Sequence, residues 1–164
     1  GSMNHLVMED IKRRAKVDVL HVPYGGGGPA GQAVLGDTSQ ITLLSYAALR
    51  AQIQAGKVKA LAVTGSKRLA DLPNVPTVAE SGFSGFEAYS WIGIFAPSAT
   101  PASVVSKLTE DFKATLNNPE VHGKLTAGGF EVMATDGPGV DRYAREQYER
   151  WSAFVRETHI KLEQ

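Results

Sequence analysis

Apolar positions along this chain alternate between two spacings. From His5 to Lys16, Leu6 and Val7 are followed by Asp10-Ile11 and Ala15 on one side, with Lys12-Arg13-Arg14 opposite, which predicts a helix. Val17 to Val22 predicts a strand, and Ala33-Val34-Leu35 a short helix stopped at Gly36. Gln40 to Leu44 reads as a second strand, and Leu49 and Ile53 share a helix face that Ser45 could cap and Gly56 would end. Val58 to Thr64, VKALAVT, is nearly continuous in apolar and β-branched residues, as in a buried parallel sheet. A short helix near Thr77 to Glu80 and a glycine-rich turn at Gly82-Phe83-Ser84-Gly85 come next, then a long aromatic strand from Phe86 to Ala96.

Thr100-Pro101 predicts an N-cap and first turn, and Val104, Leu108, Phe112 and Leu116 follow at a spacing of four, with Val105 beside them. Asn118-Pro119 opens a shorter helix that Gly128-Gly129 closes, and Phe130 to Met133 is a strand. Val140, Tyr143-Ala144, Trp151 and Val155 line one side of a long last helix. Strands separated by helices predict an α/β fold with a largely parallel sheet.

The stretch between the first strand and second helix, His21 to Gly31, carries four consecutive glycines before Pro29-Ala30. Glycine adopts positive φ and has no Cβ to hold a ligand away. Pro29 suits the first helical position, where a missing N–H costs nothing. Unpaired N–H groups at a helix N-terminus attract a carboxylate or phosphate. Gly25, Gly26, Gly27, Gly28 and Ala30 are therefore candidates for anion binding; a tight turn packed on the sheet is the other reading. Tyr24 could place a hydroxyl over a ligand. Thr42 and Ser45 sit toward the C-terminal end of the second strand, where α/β sheets bind ligands. Each of the three also has an ordinary structural explanation, and Trp91 reads as core rather than as a ligand platform.

Composition narrows the function classes. The 164 residues suffice for one domain or two small lobes, and 17 basic and 17 acidic side chains balance. That balance argues against nucleic acid or a membrane surface as main partner. With no cysteine there is no disulfide framework, thiolate zinc site or cysteine nucleophile. No segment is apolar enough to span a bilayer or to form a signal peptide, and Gly1-Ser2 before Met3 reads as a cleaved-tag remnant.

Gly26-x-Gly28-x-x-Gly31 formally matches a dinucleotide fingerprint. The acid expected about 20 residues on would fall at Leu44-Ser45, where there is none, so no nicotinamide or flavin cofactor is expected. No Gly-Lys-Ser/Thr follows the loop, and no G-x-S-x-G elbow occurs. The histidines, at 5, 21, 122 and 159, are scattered without partners at ligand spacing, so no metal site is expected. Nothing in the chain looks like catalytic machinery.

The segments HVPYGGGGPA, IQAGKVKALAVTGSKR, LPNVPTVAESGFSGFEAYSW and GIFAPSATPASVVSKL, in that order, resemble the extracytoplasmic solute receptors of tripartite tricarboxylate transporters, the TctC or Bug family. The likeness runs from about Asn4 to Glu163 and includes the ending IKLE. It implies a type II periplasmic-binding-protein architecture that closes on a small carboxylate and delivers it to a membrane permease, not an enzyme. Family ligands include di- and tricarboxylates, aromatic acids and some amino acids. The glycine loop and following helix N-terminus would hold the carboxylate, and the chain would be periplasmic.

Two departures accompany the likeness. Where the family carries a stretch like DLMFDN, this chain reads QITLLSY, with Gln40 and Leu44 in place of acids and Ser45 in place of the amide. The length also implies one complete lobe, residues 4–89, plus the crossover strand and C-terminal part of the other, 90–164, without that lobe's N-terminal part. Uncovered apolar faces would then favour a homo-oligomer or a swapped dimer. The alternative to a receptor is a truncated paralogue acting as an oligomeric interaction module.

Overall fold

The computed structural model describes residues 2–160. Six helices occur among them: α1 (Met3–Ala15), α2 (Gly27–Leu35), α3 (Tyr46–Gln54), α4 (Ala102–Asn117), α5 (Pro119–Ala127) and α6 (Gly137–Thr158). The chain divides into two compact units between Ser90 and Trp91. The IKLE ending lies outside the described residues after Ile160.

The first unit holds most of the buried side chains. Ser2 caps α1, its side chain accepting from the His5 N–H at 3.4 Å. Lys16 ends the helix in the left-handed conformation, and Lys12, Arg13 and Arg14 in the last turn complement the helix dipole. From α1, Leu6 and Val7 are buried; Ala33 of α2, Leu49 of α3, Val78, Phe86 and Ala88 are the other buried apolar residues of the unit. Phe86, 1% exposed, carries the Arg14 guanidinium 5.4 Å from its ring centroid. Arg14 Nε in turn donates to both oxygens of the buried Asp10 at 3.0 Å. One cation thus neutralises a buried carboxylate and roofs the core's most buried ring.

The helices of this unit lie within a residue or two of the ranges predicted for them; the strands do not form as ladders. None of the five predicted strands is helical, yet among the described residues the single ladder contact is a parallel bridge between Val63 and Thr77. Val63 N–H donates to the Pro76 carbonyl, Val78 N–H to the Val63 carbonyl, and Ala88 N–H to the Thr64 carbonyl. A three-segment strip therefore centres on the end of VKALAVT. The reason for the shortfall is physical. An apolar run covered on both faces needs neighbours for its backbone and both sets of side chains. Here Leu61 and Leu20, the latter 86% exposed, have no such cover.

Thr77 to Glu80 was expected as a short helix and is a single turn. Glu80 Oε2 accepts from the Thr77 N–H at 2.7 Å and Thr77 Oγ1 from the Glu80 N–H at 3.0 Å, a reciprocal capping box. The turn stops because Gly82 takes φ +105°. Arg68 clamps its outer side, with Nε 2.9 Å from Glu80 Oε2 and NH1 donating to the Pro73 carbonyl. The Arg68 hydrogen bond, with the Thr77 amide, holds the Glu80 carboxyl below its usual range.

In the second unit Pro101 takes the N-cap position of α4, one residue later in role than expected, because the Thr100 N–H closes a turn on the Pro97 carbonyl. Asn118 Oδ1 caps α5 by accepting from Glu120 and Val121, and Asp136 Oδ1 caps α6 by accepting from Gly139. Trp151 is the one buried hydrophobic side chain among the described residues of this unit. Trp91 is half-buried, edge-on to Tyr143 at 5.8 Å and tilted against Phe95 at 6.4 Å. The predicted apolar stripe of α4 is present, but Val104, Val105, Leu108 and Phe112 all stand exposed.

Candidate functional site

The glycine stretch forms the entry to α2. Gly26 is the N-cap residue, with φ +134° and ψ 178°, a conformation essentially restricted to glycine. Gly27 and Gly28 are the first two helical residues, so Pro29 is third rather than first. This matters for the donors. A helix leaves the N–H groups of its N-cap and first three residues without intrahelical partners. Pro29 has no N–H, and Ala30 N–H makes the first intrahelical bond, to the Gly26 carbonyl at 3.2 Å. The donors that helix geometry leaves over belong to Gly26, Gly27 and Gly28. Ala30 contributes shape, not a hydrogen bond.

Space around these glycines is unequal. Apart from the adjoining residues and the backbone of α2 itself, no protein atom lies within 4 Å of where a Cβ would stand at Gly25, Gly26 or Gly28. At Gly27 it would meet Leu44 Cδ2 at 3.5 Å, and at Gly31 the methyls of Leu49 and Leu44 at 3.6 and 3.7 Å. The side chain of Leu44 therefore packs along the first turns of α2 and joins the 40–45 segment to the glycine loop. Tyr24 and the glycines before Ala30 are exposed, which leaves this helix end open.

Ser45 follows Leu44 and occupies the N-cap of α3, as expected, but its side chain makes no cap hydrogen bond. Its exposed hydroxyl stays available beside Leu44. Thr42 is half-buried, two residues before Leu44. α3 packs on α2, and its first residue, Tyr46, donates to Asp71 Oδ2 at 3.2 Å while Arg50 reaches the same oxygen at 2.9 Å. Partial burial and the bond to Asp71 raise the Tyr46 phenol above its ordinary 10. Of the sequence-predicted residues, the structure thus joins Gly25–Gly28 with the segment carrying Thr42 and Ser45, through a leucine.

Two further clusters were not visible as motifs. His5 and His21, expected to be unconnected, stack with ring centroids 3.8 Å apart and planes 3° from parallel. His5 Nε2 also lies 3.8 Å from Glu9 Oε1. Burial, then the neighbouring His21, lowers the His5 pKa. No group of three metal-ligating residues forms among the described residues. Beyond the sheet strip, Tyr89 Oη accepts from the Ser66 N–H and lies 3.0 Å from Ser66 Oγ, against Gly65. His5 and Glu9 do stand at i,i+4, which corrects the expectation that no histidine has a partner at ligand spacing; the contacts to His21 and Tyr89 had no signal in the sequence.

The backbone follows the α/β path of a periplasmic binding protein. A protein of R. palustris, Rpa4515 solved with adipate, superposes with a TM-score of 0.90 at 30% identity, over 95% of this chain and 52% of that one. MatC from Rhodopseudomonas palustris with bound malate gives 0.83 at 31%, over 94% and 53%. The chain belongs to the tripartite tricarboxylate transporter family receptors, the TctC family, which it matches over residues 1–160. Curated relatives include a UPF0065 protein from the tcbD-tcbE intergenic region of Pseudomonas sp. (strain P51), 34% identical over 100% of this chain and 49% of that protein. Another is BugT of Bordetella pertussis, 30% identical over 99% and 50%. The chain spans about half the length of these relatives. The family is one of periplasmic solute receptors rather than enzymes, and among the described residues no helix is long and apolar enough to cross a membrane.

Proposed function

We propose that this chain provides a carboxylate-holding half of an extracytoplasmic receptor that serves the permease of a tripartite transporter. The solute carboxylate sits on the N–H groups of Gly26, Gly27 and Gly28 at the positive end of α2. Tyr24 and Gly25 border it, and Thr42 and Ser45 supply hydroxyls from the adjoining segment. Residues 4–89 form the glycine-loop lobe, and residues 90–164 the crossover strand and the C-terminal part of the other lobe.

The observation that carries this reading is the open space at Gly25 and Gly28. Neither position needs glycine for the protein's own packing. A Cβ on the first turn of a helix points back toward its N-terminus, into the place an anion would occupy. Relatives solved with adipate and with malate support small dicarboxylates as the solute class.

A thermal-shift screen of dicarboxylates tests the reading. A ligand at 100 times its Kd adds about 2.7 kcal/mol, or about 5–10 °C for a chain of this size. A shift with dicarboxylates and none with the matching amides is expected. No shift with any acid in a cooperatively melting sample overturns it.

One observation favours a second reading, an oligomeric interaction module. Among its described residues the second unit buries one apolar side chain, while α4 exposes four and Ile92, 80% exposed, leads into exposed Ile94 and Phe95. A second copy of the chain, itself carrying no net charge, would cover them. Light scattering decides: a monomer mass at micromolar concentration removes this reading.

A further inference from the structure

We infer that the stack of His5 and His21 is a proton-operated latch: it fastens the exposed approach to the glycine loop onto α1 while the rings are neutral, and lets it go when both are charged. The latch stands apart from whatever the loop binds. Little else holds this segment. Val17 N–H donates to the Lys12 carbonyl at 3.2 Å, and the Gly26 carbonyl accepts from Ala30 N–H at 3.2 Å. Between these two ties, residues 18–25 make no hydrogen bond or ion pair among the described residues. All of them are exposed except the half-buried Val19. Their one ring contact is His21 on His5, centroids 3.8 Å apart and planes 3° from parallel.

The two rings have unlike surroundings. His21 is exposed, so water solvates its charged form. His5 is 9% exposed, and its Nδ1 is buried without a hydrogen-bond partner. A charged imidazole carries an N–H on both nitrogens, and the one on Nδ1 finds no acceptor here. With His21 charged as well, two cations stand face to face. Burial and the His21 field accordingly lower the His5 pKa. The other charged groups acting on His5 are divided. Glu9, its Oε1 3.8 Å from His5 Nε2, favours the imidazolium; Lys12, bound to that carboxylate at 2.8 Å, and the N-terminal ammonium oppose it. Moving His21 away removes the facing charge and admits water to the His5 ring, so His5 is the stronger base in the released form. Proton uptake below the ordinary 6.5 therefore shifts the balance from latched to released.

Backbone nitrogen-15 relaxation of the whole chain at pH 7.5 and at pH 5.5 tests the latch. At the higher pH the order parameters of residues 19–24 are expected to match those of α1, about 0.85, and at the lower pH to drop below about 0.6 in this segment alone. His21→Ala, a change at an exposed position, is expected to give the low values at both pH values. His21→Phe, whose ring face accepts a neutral or a charged His5, is expected to keep the high values at both. Unchanged order in the unaltered chain between the two pH values overturns the proton control. High order in His21→Ala at pH 7.5 overturns the fastening. An acid-induced drop that persists in His21→Phe overturns the part assigned to the His21 charge. A drop that spreads through α1 and α2 is unfolding of the whole unit, and overturns a local release.

Discussion

The imidazoles of His5 and His21 lie face to face, 3.8 Å between centroids and 3° from parallel. The stack ties the first turn of α1 to the segment that runs through Val22 and Tyr24 into the glycine loop. Two neutral rings can stack this way; two protonated ones repel. His5 is buried, its Nδ1 has no hydrogen-bond partner, and burial followed by the His21 field holds its pKa below 6.5. Other groups act on it too: Glu9 at 3.8 Å favours the charged form, while Lys12 and the chain's N-terminal ammonium oppose it.

The sign of the pH dependence follows. The unfolded chain takes up a proton at His5 near 6.5, before the folded chain does, so stability is full above 6.5 and falls as pH drops through the lowered folded value. The melting temperature should decline between pH 7.5 and 5.5, and His5→Phe, which keeps a ring without a titrating group, should flatten that slope. An identical slope in both proteins would place the sensitivity elsewhere.

Gly26 and Gly28 should respond oppositely to alanine. At φ +134° a Cβ at residue 26 is strained, and Gly26→Ala is expected to cost about 1–3 kcal/mol. Gly28 is helical with free space, so Gly28→Ala should leave stability unchanged or raise it by about 0.4–1 kcal/mol. Denaturant melts of the two variants measure the difference directly.

Asp10 is 4% exposed and is held by Arg14, with Arg13 NH2 at 3.3 Å. Arg14→Ala uncovers Phe86 and weakens the compensation of a buried charge. Because Arg14 itself is partly in solvent and Arg13 remains, the expected loss is about 1–3 kcal/mol, below that of a fully buried pair. A change under a few tenths in urea unfolding would show the Asp10 carboxylate to be adequately solvated without Arg14.

The α4 stripe separates the two functional readings. If the exposed residues meet a second copy, Leu108→Lys with Phe112→Lys should convert an associated species to monomer in light scattering. If they do not, the same variant should leave mass and melting temperature unchanged, because both side chains already face solvent.

Helices were legible because their instructions are local. Asn118 caps α5 and Gly36 and Gly128 stop their helices as read; Ser2 and Asp136 cap in the same local way without having been singled out, whereas Ser45 and Thr100 supply no cap hydrogen bond. Strands were not, because an apolar run such as VKALAVT states that it needs partners without supplying them. It finds one bridge, at Val63. The glycine loop could be located from sequence, and the donors could not: Pro29 lies third in α2, which removes one N–H and leaves Ala30 bonded within the helix. Leu44 stood out in the sequence only as an apolar residue in an acid's place. Its contact with Gly27 depends on α2 and α3 packing together, a long-range arrangement that spacing cannot encode.

The most direct test of the carboxylate site is titration calorimetry of adipate into the unaltered chain and into Gly28→Ala, with melting curves recorded for both. Measurable binding by the unaltered chain, lost in Gly28→Ala at an equal or higher melting temperature, is the predicted result, since one methyl then stands where the carboxylate approaches the amides. Undiminished binding by Gly28→Ala, or none by either protein when both melt cooperatively, contradicts it.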